Sequence, residues 1–451
     1  MPPIAILILG VFVVVLLIVR LRLNAFVALV TAAVLVGLLA PGVPAGEVMK
    51  EIAQAFGRVA GGIGIAIAMA AIVGECLMES GAADRIVRRT VAAFGTGRSS
   101  LSLVAAGYVL SIPVFFDTVF YLLVPLGRAM SIRMGGQSYV LNVVAISAGG
   151  SATHVLVPPT PGPLVMASTL QVDVGIVILV GLVIAVPASL AAWLYAVWID
   201  RRLGIAIREA PGLTLAELQQ VAAKPESELP GFWTSMLPIL LPVGLITSST
   251  IANVVDKGSA FARAAALWGD PNFSLLLAAA VSLFILGRHT RRSLAQLAHS
   301  VETAIKSAGV IILITAAGGA FGGMLVKAGV GDYLGSLAQG LGLSPLLLGF
   351  FVAVMFRVAQ GSATVAMITS SSILAPLVGP GLGFHPVYLV MAIGGGSIVG
   401  QWMNDSGFWV FRTMTGLTEV ETLKTKSAAL VVLGTTAMLL ALAGSKVLPL
   451  V

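Results

Sequence analysis

Residues 142–164 read NVVAISAGGSATHVLVPPTPGPL, and this stretch decides the class of fold. It is apolar enough to lie in a membrane, but the adjacent glycines at 149 and 150 and the four prolines after them cannot form a continuous helix, because each proline removes a backbone donor and clashes with the preceding turn. Unwound backbone at membrane depth is tolerated only beside protein or a water-filled cavity. The stretch therefore predicts a broken transmembrane helix beside a cavity, with Thr153 and His154 at the break.

The composition of the whole chain agrees with a membrane protein. Of its 451 residues, 58% are hydrophobic and 10% are charged, whereas a soluble domain is about 25% charged. One cysteine and four scattered histidines exclude a disulfide framework and a multi-thiolate metal site, so we predict no cofactor. The net charge of +7 is distributed between apolar runs, which fits a membrane protein and not a nucleic-acid partner.

Apolar runs long enough to cross about 30 Å of hydrocarbon indicate continuous spans. They occur at 4–19, 24–40, 59–78, 174–199, 236–252, 272–287, 307–326 and 427–446. The segments 137–168 and 387–411 are equally apolar but interrupted, and 100–130 and 345–378 have a break near the middle, as a hairpin that enters and leaves on one side would have. The predicted fold is an all-α polytopic membrane protein with ten transmembrane spans and two re-entrant helical hairpins.

Orientation follows from the excess of Lys and Arg in short cytoplasmic loops. With both hairpins re-entrant, the basic residues fall on one side, which places the polar segment 200–233 in the cytoplasm and both termini outside. Lys424 and Lys426 count among these inner-loop charges.

The two halves of the chain resemble each other. Gly61 and Gly74 match Gly309 and Gly322 at a constant offset of 248 residues. Segment 85–98 has four arginines, whereas its counterpart 333–346 has no Lys or Arg. Equivalent loops of opposite basic content belong on opposite sides of the membrane, which predicts an inverted repeat, an architecture of secondary transporters. The alternative is two parallel halves with chance glycine matches.

These patterns divide the chain into a first repeat over 1–199, a cytoplasmic linker over 200–233 and a second repeat over 234–451. The first repeat would contain scaffold spans within 4–78, a hairpin at 100–130, a broken helix at 137–168 and a span at 174–199. The second would contain scaffold spans within 236–326, a hairpin at 345–378, a broken helix at 387–411 and a span at 427–446.

Asp117 is the candidate proton carrier. It follows Pro113 at the break of the first hairpin, in an apolar environment. A charge at the bilayer centre costs about 3 kcal/mol or more, and burial favours the protonated form of a carboxyl group. The alternative role is a helix cap for the second arm, which would stabilise by about 1 kcal/mol.

The second hairpin offers an anion site. Gly361 permits close backbone approach, and Ser362 and Thr364 begin the second arm, where free N–H groups and the helix dipole favour an anion. Arg357 lies deep in the first arm. It could bind a substrate carboxylate or form a structural ion pair with Asp405.

Two polar positions complete the candidate site. Asn404 supplies a donor and an acceptor, and Asp405 could orient it, bind a sugar hydroxyl or pair with Arg357. His154 could be a hydrogen-bonded structural imidazole, but at a transmembrane break we favour a substrate or proton role. Thr153 beside it is a candidate for substrate hydroxyls.

Four stretches resemble the gluconate permease family within the ion transporter superfamily. They are FFDTVFYLLVPL (115–126), SATHVLVPPTPGPL (151–164), FRVAQGSATVAMITSSSILAPL (356–377) and MNDSGFWVF (403–411). The resemblance covers nearly the whole chain and implies proton symport of gluconate or related sugar acids across the bacterial inner membrane. It also implies a homodimer of elevator type, in which a moving domain contains both hairpins. Asp117 stands where many members have Glu, and Thr160 replaces a histidine of the family's proline-rich motif.

We therefore expect a secondary active transporter whose partners are a small carboxylate, a proton, membrane lipid and a second copy of the chain. A carrier of D-serine or another small carboxylate is an alternative, as is sodium coupling through backbone carbonyls and hydroxyls of broken helices. A membrane-embedded enzyme is the alternative from another class, since Ser, His and Asp are present. It lacks a nucleophile elbow and a metal motif, so we expect no enzymatic activity.

Overall fold

The computed structural model describes the chain except for residues 22, 95–98, 115, 134–137, 209–227, 257–258, 331–332, 334–343, 380–381, 404 and 451. Within the described part the chain is helical and contains no β-strand. The first half comprises α1 (Pro3–Val15), α2 (Ala25–Leu39), α3 (Val48–Glu79), α4 (Ala82–Phe94), α5 (Ser99–Leu110), α6 (Phe116–Arg133), α7 (Tyr139–Leu156), α8 (Pro161–Thr169) and α9 (Val174–Leu203).

The second half follows a similar order. It comprises α10 (Phe232–Asp256), α11 (Ala260–Trp268), α12 (Pro271–Thr290), α13 (Leu294–Lys327), α14 (Pro345–Gln360), α15 (Ala363–Leu374), α16 (Val387–Gly396), α17 (Ser406–Thr415), α18 (Glu419–Thr422) and α19 (Ala428–Val447). A π-helical turn, Leu423–Ser427, joins α18 to α19.

Within the described ranges, seven helical segments are long and apolar enough to cross a membrane. One of them is the broken pair α7–α8, and another runs from α18 through α19. The remaining expected spans correspond to shorter apolar helices, α1, α2 and the pair α16–α17. The structure therefore supports a multi-pass helical membrane protein, and the count of ten spans stays a prediction.

Both expected hairpins are present as helix pairs with a short break. Helices α5 and α6 correspond to the first hairpin, and α14 and α15 to the second. The two expected broken helices are also interrupted: one break separates α7 from α8, and the other separates α16 from α17. Proline and glycine set these breaks, since they end helices through local backbone geometry alone.

The two longest helices, α3 and α13, occupy equivalent places in the two halves and pack antiparallel. The Lys327 ammonium at the end of α13 pairs with Glu51 in the first turn of α3 at 2.9 Å. At the opposite ends, the Ser300 hydroxyl donates to the Glu79 carboxylate at 2.6 Å. Two parallel halves, related by an axis along the membrane normal, would make equivalent helices parallel. The antiparallel pair is compatible with a repeat of opposite orientation, and the inverted repeat stays a prediction.

Each hairpin packs against the broken helix of its own half through a glycine. A Cβ at Gly149 of α7 would collide with the carbonyl oxygen of Val104 in α5 and lie 2.9 Å from the backbone nitrogen of Tyr108. A Cβ at Gly396 of α16 would collide with the carbonyl oxygen of Phe350 in α14. These contacts between backbones hold each hairpin tightly against the broken helix beside it.

One basic residue differs from the prediction based on loop charges. Lys424 is exposed, as an inner-loop residue should be, but Lys426 is fully buried. The two lysines are two positions apart in a helical segment, so their side chains leave the helix in different directions. The prediction placed both lysines in a loop before the span at 427–446, whereas the structure continues the helix back through them.

Candidate functional site

The hairpin tips and the helix breaks meet around one cavity of about 610 Å³. Such a volume is typical of small-molecule sites, which span about 300–1,000 Å³. The polar and charged residues of its wall are Thr118, Ser151, His154, Ser307, Arg357, Ser362, Thr364, Gln401 and Asp405. The other residues of the wall are Phe116, Val155, Ile311, Gly361, Ala363, Ile398, Gly407 and Leu430. Residues from the tips of both hairpins therefore line the same cavity.

The tip of the second hairpin turns the N-terminus of α15 toward the cavity. Helix α14 ends at Gly361, whose φ of +84° lies in the left-handed region that glycine tolerates. Ser362 is the N-cap of α15, and its hydroxyl accepts a hydrogen bond from the backbone N–H of Val365 at 3.3 Å. Thr364 lines the cavity in the first turn. The partial positive charge of this helix end favours a bound anion.

Arg357 and Asp405 form a buried ion pair beside this tip. The guanidinium lies 2.7 Å from the Asp405 carboxylate, and their side chains are 3% and 11% exposed. Arg357 also donates a hydrogen bond to the carbonyl of Gly361. Of the two partners considered for Arg357, the structure shows Asp405, and this pair joins the second hairpin to the break between α16 and α17.

Asp405 is further held by its neighbours on the chain. Its carboxylate accepts from the Gln401 side-chain amide at 2.6 Å and, as N-cap of α17, from the backbone N–H of Phe408 at 3.0 Å. With Arg357 this makes three donors on one carboxylate, so its position is well defined. Asn404, the adjacent predicted ligand, lies outside the described residues.

His154 lines the cavity from the last turn of α7, together with Ser151 and Val155. These three residues lie on one face of the helix, since positions three and four apart are neighbours on a helix surface. Thr153 lies on another face, fully buried, and its hydroxyl donates to the Tyr108 carbonyl at 2.9 Å. The structure therefore places Thr153 behind the wall, apart from the other predicted ligands.

Asp117 lies in the first turn of α6, one residue after the helix begins. Its neighbours Phe116 and Thr118 both line the cavity. The Asp117 side chain itself is outside the described part of the structure. Its backbone position at the tip of the first hairpin agrees with the prediction, and the proton-carrier role stays a prediction.

Several cavity residues were not predicted from the sequence. Gln401 lies four residues before Asp405, and Ser151 three before His154. Helical spacing from His154 could have identified Ser151, whereas Gln401 lies in the break between α16 and α17, where no helical spacing applies. Ser307 and Ile311 come from the long helix α13, and no local motif distinguishes them from other residues of a membrane span.

The charged groups described in the cavity wall, Arg357 and Asp405, neutralise each other. The wall also presents the N-terminus of α15, the hydroxyls of Ser362 and Thr364, and the side chain of His154. Such a set can bind one carboxylate at the helix end and several hydroxyl groups around it.

The chain is similar to known permeases over nearly its whole length. The family model of the GntP family permeases matches residues 2–447. The chain is 36% identical to a gluconate permease of Pseudomonas aeruginosa, over 91% of this chain and 90% of that one. It is 32% identical to the Gnt-II system L-idonate transporter of Escherichia coli, over 94% of each chain.

Among solved structures, the crystal structure of the Alcanivorax borkumensis YdaH transporter has a similar fold. The TM-score is 0.61 at 14% sequence identity, with 97% of this chain and 99% of that chain covered. At this identity the likeness concerns the fold alone.

Proposed function

The chain belongs to the GntP permease family and is a transporter of the inner membrane, not an enzyme, and we propose that it takes up gluconate or a related small sugar acid together with a proton. The observation on which the proposal chiefly depends is the N-terminus of α15, which opens with Ser362 and Thr364 into a cavity of about 610 Å³. This helix end would bind the substrate carboxylate.

The rest of the cavity would bind the substrate hydroxyls. His154 and Gln401 line the wall, and Asn404 precedes Asp405 at the same break. Relatives named for gluconate and for L-idonate transport support a sugar acid as substrate, since both names denote a carboxylate with several hydroxyl groups.

Asp117 would carry the coupled proton. Its place at the tip of the first hairpin, between two cavity-lining residues, supports this role. A protonated Asp117 reduces the charge that must cross the bilayer with an anionic substrate, which makes the loaded carrier easier to move. One proton carried with one monoanionic substrate moves no net charge, so the proton concentration gradient drives uptake.

The movement would be of elevator type within a homodimer. Ser307 and Ile311 of α13, a helix of the predicted scaffold, line the cavity opposite the hairpin tips. A site bordered by both the scaffold and the hairpin-bearing elements can change its access when one slides along the other.

Two measurements test the proposal. Thermal unfolding of the purified protein against a panel of sugar acids, hydroxy acids and D-amino acids should show stabilisation by sugar acids, because a ligand of the folded state raises the apparent stability. Proteoliposomes with a pH gradient, acidic outside and free of sodium, should then accumulate labelled gluconate or the acid that the screen selects. Accumulation that requires a sodium gradient and ignores the pH gradient would replace proton coupling by sodium coupling. No stabilisation by any sugar acid would contradict the substrate class.

A further inference from the structure

Lys426 is a fully buried cation directly behind the cavity wall. Its side chain is 0% exposed, and it lies in the π-helical turn Leu423–Ser427 that leads into α19. One turn further along, Leu430 lines the cavity. π-Helical turns are rare and occur frequently at functional sites.

Three aromatic rings and one carbonyl surround the ammonium group. Its nitrogen lies 5.2 Å from the ring centroid of Phe116, 5.3 Å from that of Phe411 and 5.8 Å from that of Phe120. It donates a hydrogen bond to the carbonyl oxygen of Gly407 at 2.6 Å. Ring faces and carbonyl oxygens are groups that stabilise a cation.

Two of these contacts belong to the cavity itself. Phe116 lines it at the tip of the first hairpin, and Gly407 lines it in the first turn of α17. Asp117, the proposed proton carrier, is the next residue after Phe116 and is the single acidic residue of the hairpin segment 100–130. Lys426 therefore contacts the wall at the two elements that would change when substrate and proton bind.

We propose that Lys426 balances the charge of the transport cycle, a role that rests on the function proposed above. In the empty carrier, its positive charge offsets the carboxylate of Asp117. In the loaded carrier, Asp117 holds the proton and the same ammonium offsets the substrate carboxylate. The charges of Lys426, Asp117 and the substrate then sum to zero in the empty carrier and in the fully loaded carrier, the two states that cross the membrane. A carrier with only one of the two partners has a net charge, and an uncompensated buried charge is costly.

The substitution Lys426→Met tests the role, because it removes the charge and keeps a long unbranched side chain. We expect gluconate exchange between equal concentrations across proteoliposomes, and gluconate binding, each to fall by roughly tenfold or more. Lys426→Arg should retain exchange because it keeps the charge. Lys424→Met, an exposed lysine of the same π-helical turn, is the matched control and should exchange like the unmodified protein.

Asp117→Asn separates charge balance from a general effect on the site. This variant should keep exchange, because Lys426 still offsets the substrate, whereas Lys426→Met should lose it. Size-exclusion chromatography and thermal unfolding establish that each variant is folded. If Lys426→Met does not fold, the double variant Asp117→Asn with Lys426→Met removes the uncompensated acid, and its exchange should also be lost.

Undiminished exchange by folded Lys426→Met, or by the double variant, would overturn the proposal. Loss of exchange in Lys426→Arg to the level of Lys426→Met would overturn it too, since a charge effect should survive that change. Failure of the unmodified protein to bind or exchange any sugar acid would instead overturn the proposed function.

Discussion

At the scale of single residues, the ion pair between Arg357 and Asp405 determines the shape of the candidate site. Both side chains are nearly inaccessible, and removing one partner of a buried pair leaves the other charge uncompensated. The pair joins the second hairpin to the break before α17, so its geometry and the geometry of the cavity depend on each other.

Asp405→Asn tests this pair, because Asn keeps the N-cap function and the size of the side chain but removes the charge. We expect the free energy of unfolding to fall by about 3 kcal/mol, since Arg357 would remain buried and charged. Thermal and chemical unfolding in detergent would measure the change.

The control for this variant is Glu302→Gln, in the exposed pair of Glu302 with Lys306, whose side chains are 58% and 71% exposed. Exposed pairs contribute little because water screens them, so its melting temperature should not change. Equal melting temperatures for Asp405→Asn and the unmodified protein would contradict the assigned pair.

Asp117→Asn tests the proposed coupling. The variant cannot release a proton, so it should lose accumulation of substrate against a gradient and keep exchange at equal concentrations. The two modes are measured in the same proteoliposomes with labelled substrate. Uphill uptake driven by a pH gradient in this variant would refute the assignment of the proton to Asp117.

At the scale of helices, glycine contacts determine which elements can move together. Gly149 lets the backbones of α5 and α7 touch, and Gly396 does the same for α14 and α16. Because no side chain separates these backbones, we expect each hairpin and its broken helix to move as one unit.

Gly149→Ala tests the first of these contacts. The added methyl group would meet the backbone of Val104, which cannot move as a side chain could, so we expect destabilisation by about 1–3 kcal/mol. Unfolding in detergent measures it, alongside transport. Gly244→Ala in α10, where an added Cβ has no neighbour within 4 Å, is the control and should match or slightly exceed the unmodified stability. A fully stable Gly149→Ala would show that α5 and α7 separate freely.

At the scale of the whole molecule, the antiparallel pair α3 and α13 belongs to the proposed scaffold. The two helices are joined at both ends: Lys327 pairs with Glu51 at one end, and Ser300 bonds to Glu79 at the other. The α8 segment of the first broken helix contacts this scaffold, and a Cβ at Gly62 of α3 would lie 3.5 Å from the Ser168 hydroxyl of α8.

A disulfide across this contact tests the elevator proposal. In a Cys76→Ala background, Gly62→Cys with Ser168→Cys should cross-link, because the two side chains would be in contact, and net transport should stop until a reductant is added. The control is Ala55→Cys with Gly323→Cys, which joins α3 to α13 within the scaffold, where a Cβ at Gly323 would lie 3.2 Å from that of Ala55. It should cross-link without stopping transport. Transport that survives the first cross-link would contradict sliding of α8 along the scaffold.

The helical class, both hairpins, the broken helices and the similarity between the halves could all be predicted from the sequence. Each depends on local properties: the length of apolar runs matches the bilayer, and proline and glycine interrupt helices wherever they occur. The helix N-terminus at Ser362 was predictable for the same reason, since the glycine before it and the hydroxyl after it define a local turn.

Only the tertiary structure decided which side chains face the cavity and which partners they take. Arg357 pairs with Asp405, Thr153 turns to the Tyr108 carbonyl, and Lys426 is buried among aromatic rings instead of lying in a loop. The direction of a side chain depends on the rotation and packing of whole helices, and contacts between residues far apart in the chain leave no trace in local composition.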